Sequence, residues 1–251
     1  MTDKTALSYI NMYAIFGAIP KLCELDEEAK ALIAGERISI GFSVKGGPAA
    51  TLVFDDGVCS LEQGLVRPTI KIPFSSPEKF NGMIDGTVTP IPSRGFFHLG
   101  FLLKKFIPLT DLLTKYLRAE EAALADPVFF EKSTTLMLYV IAGAIAQLAN
   151  HDPVSRASAS YITDGAIRVA IDGGPAAMVY AKDHILSTVA GDGDEYTAYM
   201  RFADLSTARA LFDGKLNAVA AVGMGLVRVG GMISQVDNVN RILDRVALYL
   251  A

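Results

Sequence analysis

The chain has 251 residues, of which 51% are hydrophobic and 20% charged, and its mean hydropathy of +0.34 is high for a soluble protein. Its 27 acidic and 23 basic residues leave a net charge of −4. That balance does not favour binding along a phosphate backbone, so we expect no nucleic-acid partner. Two cysteines cannot form the disulfide framework of a small secreted protein, which favours a cytoplasmic location.

The longest apolar run, at residues 136–149, is too short to span a membrane. Its 14 residues fall below the roughly 20 that a helix needs to cross a bilayer, so the run predicts a buried helix. The N-terminal residues carry Asp3 and lack a convincing small-residue cleavage site, which predicts no signal peptide. The apolar excess is therefore expected in cores, in an internal cavity or in an interface.

An internal repeat organises the chain. Residues Tyr13–Leu22 (YAIFGAIPKL) match Tyr139–Leu148 (YVIAGAIAQL) 126 positions later, and Gly46–Ala50 (GGPAA) recurs at Gly173–Ala177 with a shift of 127. Because the matches keep their order at a nearly constant shift, they predict two copies of one unit.

The second copy is expected to begin near mid-chain. Asp126-Pro127 offers an N-cap followed by proline at the first helical position. We therefore predict units at residues 1–125 and 126–251. Residues 118–125 favour helix and contain no flexible Gly/Ser tract, so the units are expected to pack as a pseudo-dimer.

The predicted elements follow the same order in each copy. An apolar helix comes first, at about residues 7–22 and 130–148, and a polar helix then starts at Asp26 or Asp152. Alternating apolar residues predict the strands, and each copy then continues to a terminal helix. These strands are residues 38–44, 52–54 and 69–74 in copy one, and 167–171, 178–180, 197–202 and 226–229 in copy two. Hairpin connections with helices at the ends indicate an α+β fold with an antiparallel sheet in each unit.

The second copy also resembles a known family. It contains YTAYMRF (residues 196–202), the helical sequence DLSTARALFDGKLNAVAA (204–221), then GMGLVRVGG (223–231) and a final helix. This order resembles the C-terminal half of the sterol carrier protein-2 family. Copy one has IKIPF (70–74), SSPEKFNGMIDG (75–86) and PIPSRGFFHLGFLLKKF (90–106) before its last helix. The resemblance implies helix-covered sheets around an apolar tunnel for a lipid tail, with no catalytic residues.

Two segments hold the candidate ligand-binding residues. Both are apolar and contain glycines, and the first is poorly periodic for either helix or strand. The resemblance places the tunnel between the sheet and the terminal helices. The candidates are Phe96, Phe97, Leu99, Phe101 and Leu102 in copy one, and Met224, Leu226, Val227 and Met232 in the part of copy two matched to it. A core or an interface between the units would account for the same residues.

Few polar residues suggest chemistry. His98 could contact a ligand head group, although a structural histidine bonded to the backbone is the favoured interpretation. No histidine or cysteine spacing indicates a metal site, and no motif indicates a cofactor. We therefore expect a non-enzymatic protein that binds or transports a lipid or similar apolar molecule in a hydrophobic cavity, with transient membrane contact. The alternative is a structural or protein-interaction module with no small-molecule ligand.

Overall fold

Aspartate caps set where the first helices begin. In the computed structural model, which describes residues 2–250, the Asp3 carboxylate accepts a hydrogen bond of 2.8 Å from the Ala6 N–H. Asp26 accepts one of 3.0 Å from the Ala29 N–H. Such caps satisfy backbone donors that the first helical turn leaves free. The polar helix that the sequence predicts to start at Asp26 therefore begins there, at Glu27–Ile33.

The chain divides into two compact units, Met1–Lys132 and Ser133–Ala251. The elements before the division are α1 (Lys4–Ile10), α2 (Ile19–Leu25), α3 (Glu27–Ile33), β1 (Arg37–Val44), β2 (Ala49–Asp55), β3 (Val58–Gln63), β4 (Ile70–Phe74), α4 (Pro77–Ile84), α5 (Leu99–Phe101) and α6 (Ile107–Leu117). Those that follow are α7 (Pro127–His151), α8 (Pro153–Ala159), β5 (Gly165–Ile171), β6 (Ala176–Lys182), β7 (Ile185–Ala190), β8 (Ala198–Phe202), α9 (Leu205–Phe212), α10 (Ala218–Gly223), β9 (Val227–Gly231) and α11 (Ile233–Leu250). Helix α7 begins just after the predicted boundary at 125/126, and the observed division lies within it.

The first unit contains a four-stranded sheet in the order β3-β2-β1-β4. Strand β2 pairs antiparallel with both β1 and β3, whereas β1 and β4 are parallel, with Ile40 opposite Ile70. The α+β class and the predicted strands are confirmed, but the sheet is not wholly antiparallel. Alternation along a strand shows which face is buried, and it carries no information about the direction of the neighbouring strand.

The parallel pair requires the chain to cross the sheet between β3 and β4. This connection, residues 64–69, lies on β1 at Gly41, where an added Cβ would be 2.5 Å from Cγ of Pro68 and 2.8 Å from Cδ2 of Leu65. Any side chain at Gly41 would push the connection away from the sheet.

The second unit repeats this arrangement and extends it. Its sheet has the order β7-β6-β5-β8-β9, in which β5 and β8 are parallel and the other neighbours are antiparallel. The connection from β7 to β8 passes Arg168, which binds the Asp192 carboxylate with two hydrogen bonds of 2.6 Å. In the first unit, the edge of β4 carries an isolated bridge between Lys71 and Arg94 instead of a fifth strand.

No range is predicted from the sequence for strand β3 or β7, although the turns before them are recognisable. Asp56 and Gly57 have φ angles of 48° and 88°, and Asp183 and His184 have 51° and 63°. Two successive positive φ angles are typical of tight hairpin turns, which Asp-Gly favours. The strands themselves are short and mostly exposed, so they lack the apolar alternation that would reveal them.

Helix α7 is the element of residues 2–250 that is long and apolar enough to cross a membrane, and its most apolar window is 56% buried. Leu136, Leu138, Ala144 and Leu148 are inaccessible to solvent. This confirms the prediction of a buried helix at residues 136–149. A core helix of a soluble protein has the same length and composition.

Candidate functional site

The second unit contains an apolar cleft of about 720 Å³, a volume typical of small-molecule sites. The sheet contributes Met200 and Phe202 from β8, and Val227 and Val229 from β9. Helices α7, α9, α10 and α11 form the other walls; their side chains include Met137, Ile141, Phe212, Val222, Val236 and Leu243.

Helix α11 closes one side of the cleft because of its residue spacing. Ile233, Val236, Leu243 and Ala247 recur at intervals that place them on one side of a helix, and all four line the cleft. The neighbouring Ile242 is fully buried. One stripe of the helix therefore packs into the unit while the adjacent stripe faces the cleft.

The polar groups at the cleft are acidic or neutral. They are Asp213, Asp237, Asn240 and Asp244, and among the described residues, 2–250, no lysine, arginine or histidine lines this cleft. Asp213 is bound by Arg209 at 2.9 Å, and Asp237 by Arg241 at 3.1 Å.

Two of these groups remain available to a ligand. Within residues 2–250, the Asn240 amide and the Asp244 carboxylate make no side-chain hydrogen bond or ion pair. They lie four residues apart on α11 and therefore on the same side of the helix. A ligand head group at this position meets hydrogen-bonding groups and one negative charge.

A buried carboxylate fixes helix α11 in place. Asp152 accepts two hydrogen bonds from Arg245 (2.8 and 3.0 Å), one from the Tyr249 hydroxyl (2.7 Å) and two from Ser155 (2.8 and 2.9 Å). Burial alone would raise the pKa of Asp152, but the bonds from Arg245, Tyr249 and Ser155 outweigh it and lower the pKa to about 2. The N-cap of α8 is thereby tied to the last turns of α11.

The first unit has an equivalent cluster with a different cation. Asp26 accepts hydrogen bonds from the Tyr116 hydroxyl at 2.7 Å and from Lys132 at 2.9 Å. Burial opposes ionisation of Asp26, yet these bonds hold its pKa below the ordinary value. Lysine cannot form the two-pronged bond of an arginine, so this cluster is expected to be the weaker of the two.

In the second unit, one of the four predicted ligand-binding residues lies at the cleft. Val227 lines it and is 6% exposed. Met224 and Met232 are exposed and Leu226 is half-buried, and none of the three is among the lining residues. The Met232 thioether instead accepts a hydrogen bond from the Thr163 hydroxyl at 3.5 Å.

The predicted match between residues 95–103 and 223–232 is wrong. A Cβ added to Gly95 would meet the Thr69 carbonyl, and one added to Gly231 would meet the Thr197 carbonyl. These contacts give the two glycines equivalent places beside β4 and β8. The aromatic residues that follow Gly95 therefore correspond to the start of α11, which follows Gly231.

The candidate residues of the first unit fall into two groups. Phe101 and Leu102 are buried, and the Phe101 ring packs 5.3 Å from that of Phe54 in the core. Phe96, Phe97 and Leu99 are exposed instead. His98 is also exposed; its backbone N–H bonds to the Gly95 carbonyl, and its imidazole has no hydrogen bond within residues 2–250.

Cysteine and metal chemistry have little support among the described residues. Within residues 2–250, no three histidine, cysteine, aspartate or glutamate side chains are grouped to hold a metal ion. Cys23 and Cys59 are buried free thiols. A hydrogen bond with Cys23, together with burial, raises the pKa of Cys59. A thiol in such a place is a poor nucleophile.

Sequence reasoning missed most of the lining residues of the cleft. The 3–4 spacing of Ile233, Val236, Leu243 and Ala247 was a usable signal, but the same spacing is expected of a helix packed in a core. Only the three-dimensional arrangement shows that this stripe borders a cleft.

The chain matches no protein-family model and none of the curated proteins. It is similar to solved structures of sterol carrier protein-2 domains, and its sequence resembles the same family. A crystal structure of sterol carrier protein 2 has 19% identity and a TM-score of 0.35, covering 44% of this chain and 92% of its own. The apo form from Yarrowia lipolytica has 16% identity and a TM-score of 0.29, covering 40% and 92%. UbiJ-SCP2, a ubiquinone synthesis protein, has 17% identity and a TM-score of 0.33, covering 43% and 93%.

Proposed function

We propose that this protein is a non-enzymatic lipid-binding or lipid-carrying protein that holds an apolar chain or ring system in the cleft of the second unit. The observation that carries the proposal is the cleft itself, whose walls are apolar side chains from the sheet and four helices. Exposed apolar walls of this extent favour burial of a ligand or a partner. Binding would be driven by removal of apolar surface from water.

The size of the cleft suits a lipid of modest length. Each buried methylene contributes about 0.8 kcal/mol, so about ten of them contribute roughly 8 kcal/mol before the costs of ordering the ligand. Those costs are several kcal/mol. Micromolar to millimolar dissociation constants are therefore expected for simple alkyl chains, and lower values for rigid ring systems, which lose less freedom on binding.

The polar groups define the head group that the ligand carries. Asn240 can donate and accept hydrogen bonds, and the Asp244 carboxylate attracts a cation or accepts from a hydroxyl. A fatty-acid anion would meet Asp244 and, close by, the carboxylates of Asp213 and Asp237. The preferred ligand is therefore an alcohol or an amine with an apolar body.

The test of the site is a substitution that fills the cleft. In Val229→Trp, the indole replaces about three ligand methylenes, which costs about 2 kcal/mol and weakens binding roughly 30-fold. Native mass spectrometry and calorimetry would measure binding of dodecanol, dodecylamine and dodecanoate to the full chain. The matched control is Val189→Trp, the same change at an exposed position of β7 that does not line the cleft.

Three results would each count against a part of the proposal. If none of the amphiphiles binds and no lipid co-purifies, lipid binding is wrong and the protein-interaction module becomes the better hypothesis. If Val229→Trp binds as well as wild type, the ligand lies elsewhere. If dodecanoate binds as tightly as dodecylamine, or if Asp244→Asn behaves like its exposed control Asp194→Asn, the head-group preference is wrong.

A further inference from the structure

The aromatic segment, residues 95–107, has apolar side chains both towards the interior of the first unit and towards solvent. Towards the interior, Phe101, Leu102 and Phe106 are buried, and the Phe106 ring lies 5.9 Å from that of Phe42 in the core of the first unit. One side of this helical segment is therefore occupied by its own unit, as in any helix that covers a sheet.

The outward side carries large apolar residues in contact with water. Their spacing of three, four and four residues follows the helical period, and they are Phe96, Leu99, Leu103 and Ile107. Leu103 is 63% exposed, and Phe97 beside them is fully exposed at 102%. A contiguous exposed apolar surface of this kind marks a place where another phase or molecule binds.

The same stretch of chain is positively charged in an acidic protein. Residues 86–110 contain no aspartate or glutamate but include Arg94, Lys104 and Lys105, whereas the whole chain has a net charge of −4. Within residues 2–250, none of these three cations forms an ion pair. Arg94 and Lys104 are exposed next to the apolar residues.

We propose that the aromatic segment docks the protein on the surface of an anionic lipid membrane. Phenylalanine and leucine side chains would enter the boundary between head groups and acyl chains, while lysine and arginine bind the acidic head groups. A second copy of the chain is the competing occupant. It is disfavoured because a symmetric contact of this surface with itself would bring Arg94, Lys104 and Lys105 close to their own counterparts.

This proposal concerns the first unit and does not rest on the ligand cleft of the second. A lipid carrier needs contact with membranes, but a protein with an empty cleft could dock equally well. The two proposals therefore fail independently of each other.

The experiment is sedimentation of the full chain with two kinds of vesicle, phosphatidylcholine alone and phosphatidylcholine with phosphatidylglycerol. We expect at least about tenfold tighter binding to the anionic vesicles, which falls as salt is raised from about 0.05 M to about 0.5 M. Phe97→Ser should weaken binding about tenfold. Lys104→Glu should weaken it at least about fivefold on the anionic vesicles.

The control is Val58→Ser, an exposed apolar residue of the same unit on β3, which should bind like wild type. Circular dichroism verifies that each variant is folded, and this is expected because the replaced side chains are exposed. Absence of wild-type binding, equal binding to both kinds of vesicle, or unchanged binding of Phe97→Ser would overturn the proposal. So would a dimer in analytical ultracentrifugation that Phe97→Ser converts to monomer, because the surface would then be an interface between copies.

Discussion

The Asp152 cluster makes a quantitative prediction about what holds the cleft together. Replacing Asp152 by asparagine keeps an N-cap acceptor for α8, since asparagine caps as well as aspartate. The variant loses the charge that receives two bonds from Arg245 and one from Tyr249. Helix α11, which closes one side of the cleft, is then held less firmly.

The magnitude follows from the geometry. Breaking a buried ion pair costs about 3–5 kcal/mol. The Arg245 side chain is 20% exposed to solvent, however, so it can recover part of its hydration. We therefore expect Asp152→Asn to lower the free energy of unfolding of the second unit by about 2 kcal/mol. Tyr249→Phe, which removes one hydrogen bond to a charged acceptor, should cost about 1.5 kcal/mol.

The pH dependence supplies a second readout. Because the folded-state pKa of Asp152 is about 2, below the ordinary value of about 3.9, its contribution is complete above about pH 4. It is lost as the pH falls through 2. After allowance for solvent screening, wild type should lose about 1–2 kcal/mol in this window through this group. Asp152→Asn should lack that loss.

The assay is urea unfolding of the full chain, combined with amide hydrogen exchange in α8 and α11. Exchange assigns the effect to the second unit, because the two units need not unfold together. Asp26→Asn is the matched control. It should lower the free energy of unfolding of the first unit by about 1 kcal/mol and speed exchange only at amides of that unit. The reasoning is refuted if Asp152→Asn changes the stability of the second unit by less than about 0.5 kcal/mol, or if its acid unfolding matches wild type.

Further predictions concern three glycines of the backbone and the arginine that binds the connection to β8. Gly231→Ala should cost more than about 2 kcal/mol in urea unfolding, because its φ is 82° and the new Cβ would meet the Thr197 carbonyl. Gly35→Ala has a similar φ of 74° but open space around it, so only the backbone term of about 1 kcal/mol should appear. Gly41→Ala should cost about 1–3 kcal/mol by displacing the connection to β4. Arg168→Ala should speed hydrogen exchange at residues 191–197 and leave global stability within about 1 kcal/mol.

Much of the fold could be predicted from the sequence because the signals are local. The caps at Asp26 and Asp152 and the alternation in β1 and β5 involve neighbouring residues, and each was placed correctly. The parallel pairing of β4 could not be predicted in the same way, because it depends on how residues 64–69 cross the sheet.

The candidate site was harder to predict because the residues that line an apolar cleft have the same composition and spacing as those of a packed core. Val229 and Val236 have the pattern of core residues, and nothing in the sequence shows that they border a cleft. The aromatic segment posed the reverse problem, since the hydrophobicity of Phe96 and Phe97 gives no indication that they face water. The bonds from Arg245 and Tyr249 to Asp152 join residues more than 90 positions apart, so no local sequence pattern indicates them.

The connection that lies on Gly41 also bears on how the first unit folds. Strands β1, β2 and β3 are joined by short turns and can pair early, since contacts close in sequence cost little chain entropy. Strand β4 is separated in the chain from its partner β1 by β2, β3 and the connection at residues 64–69, so its pairing closes a larger loop at a greater cost in chain entropy. We therefore expect β4 to pair after the rate-limiting step. Gly41→Ala should accordingly accelerate unfolding while leaving the folding rate almost unchanged.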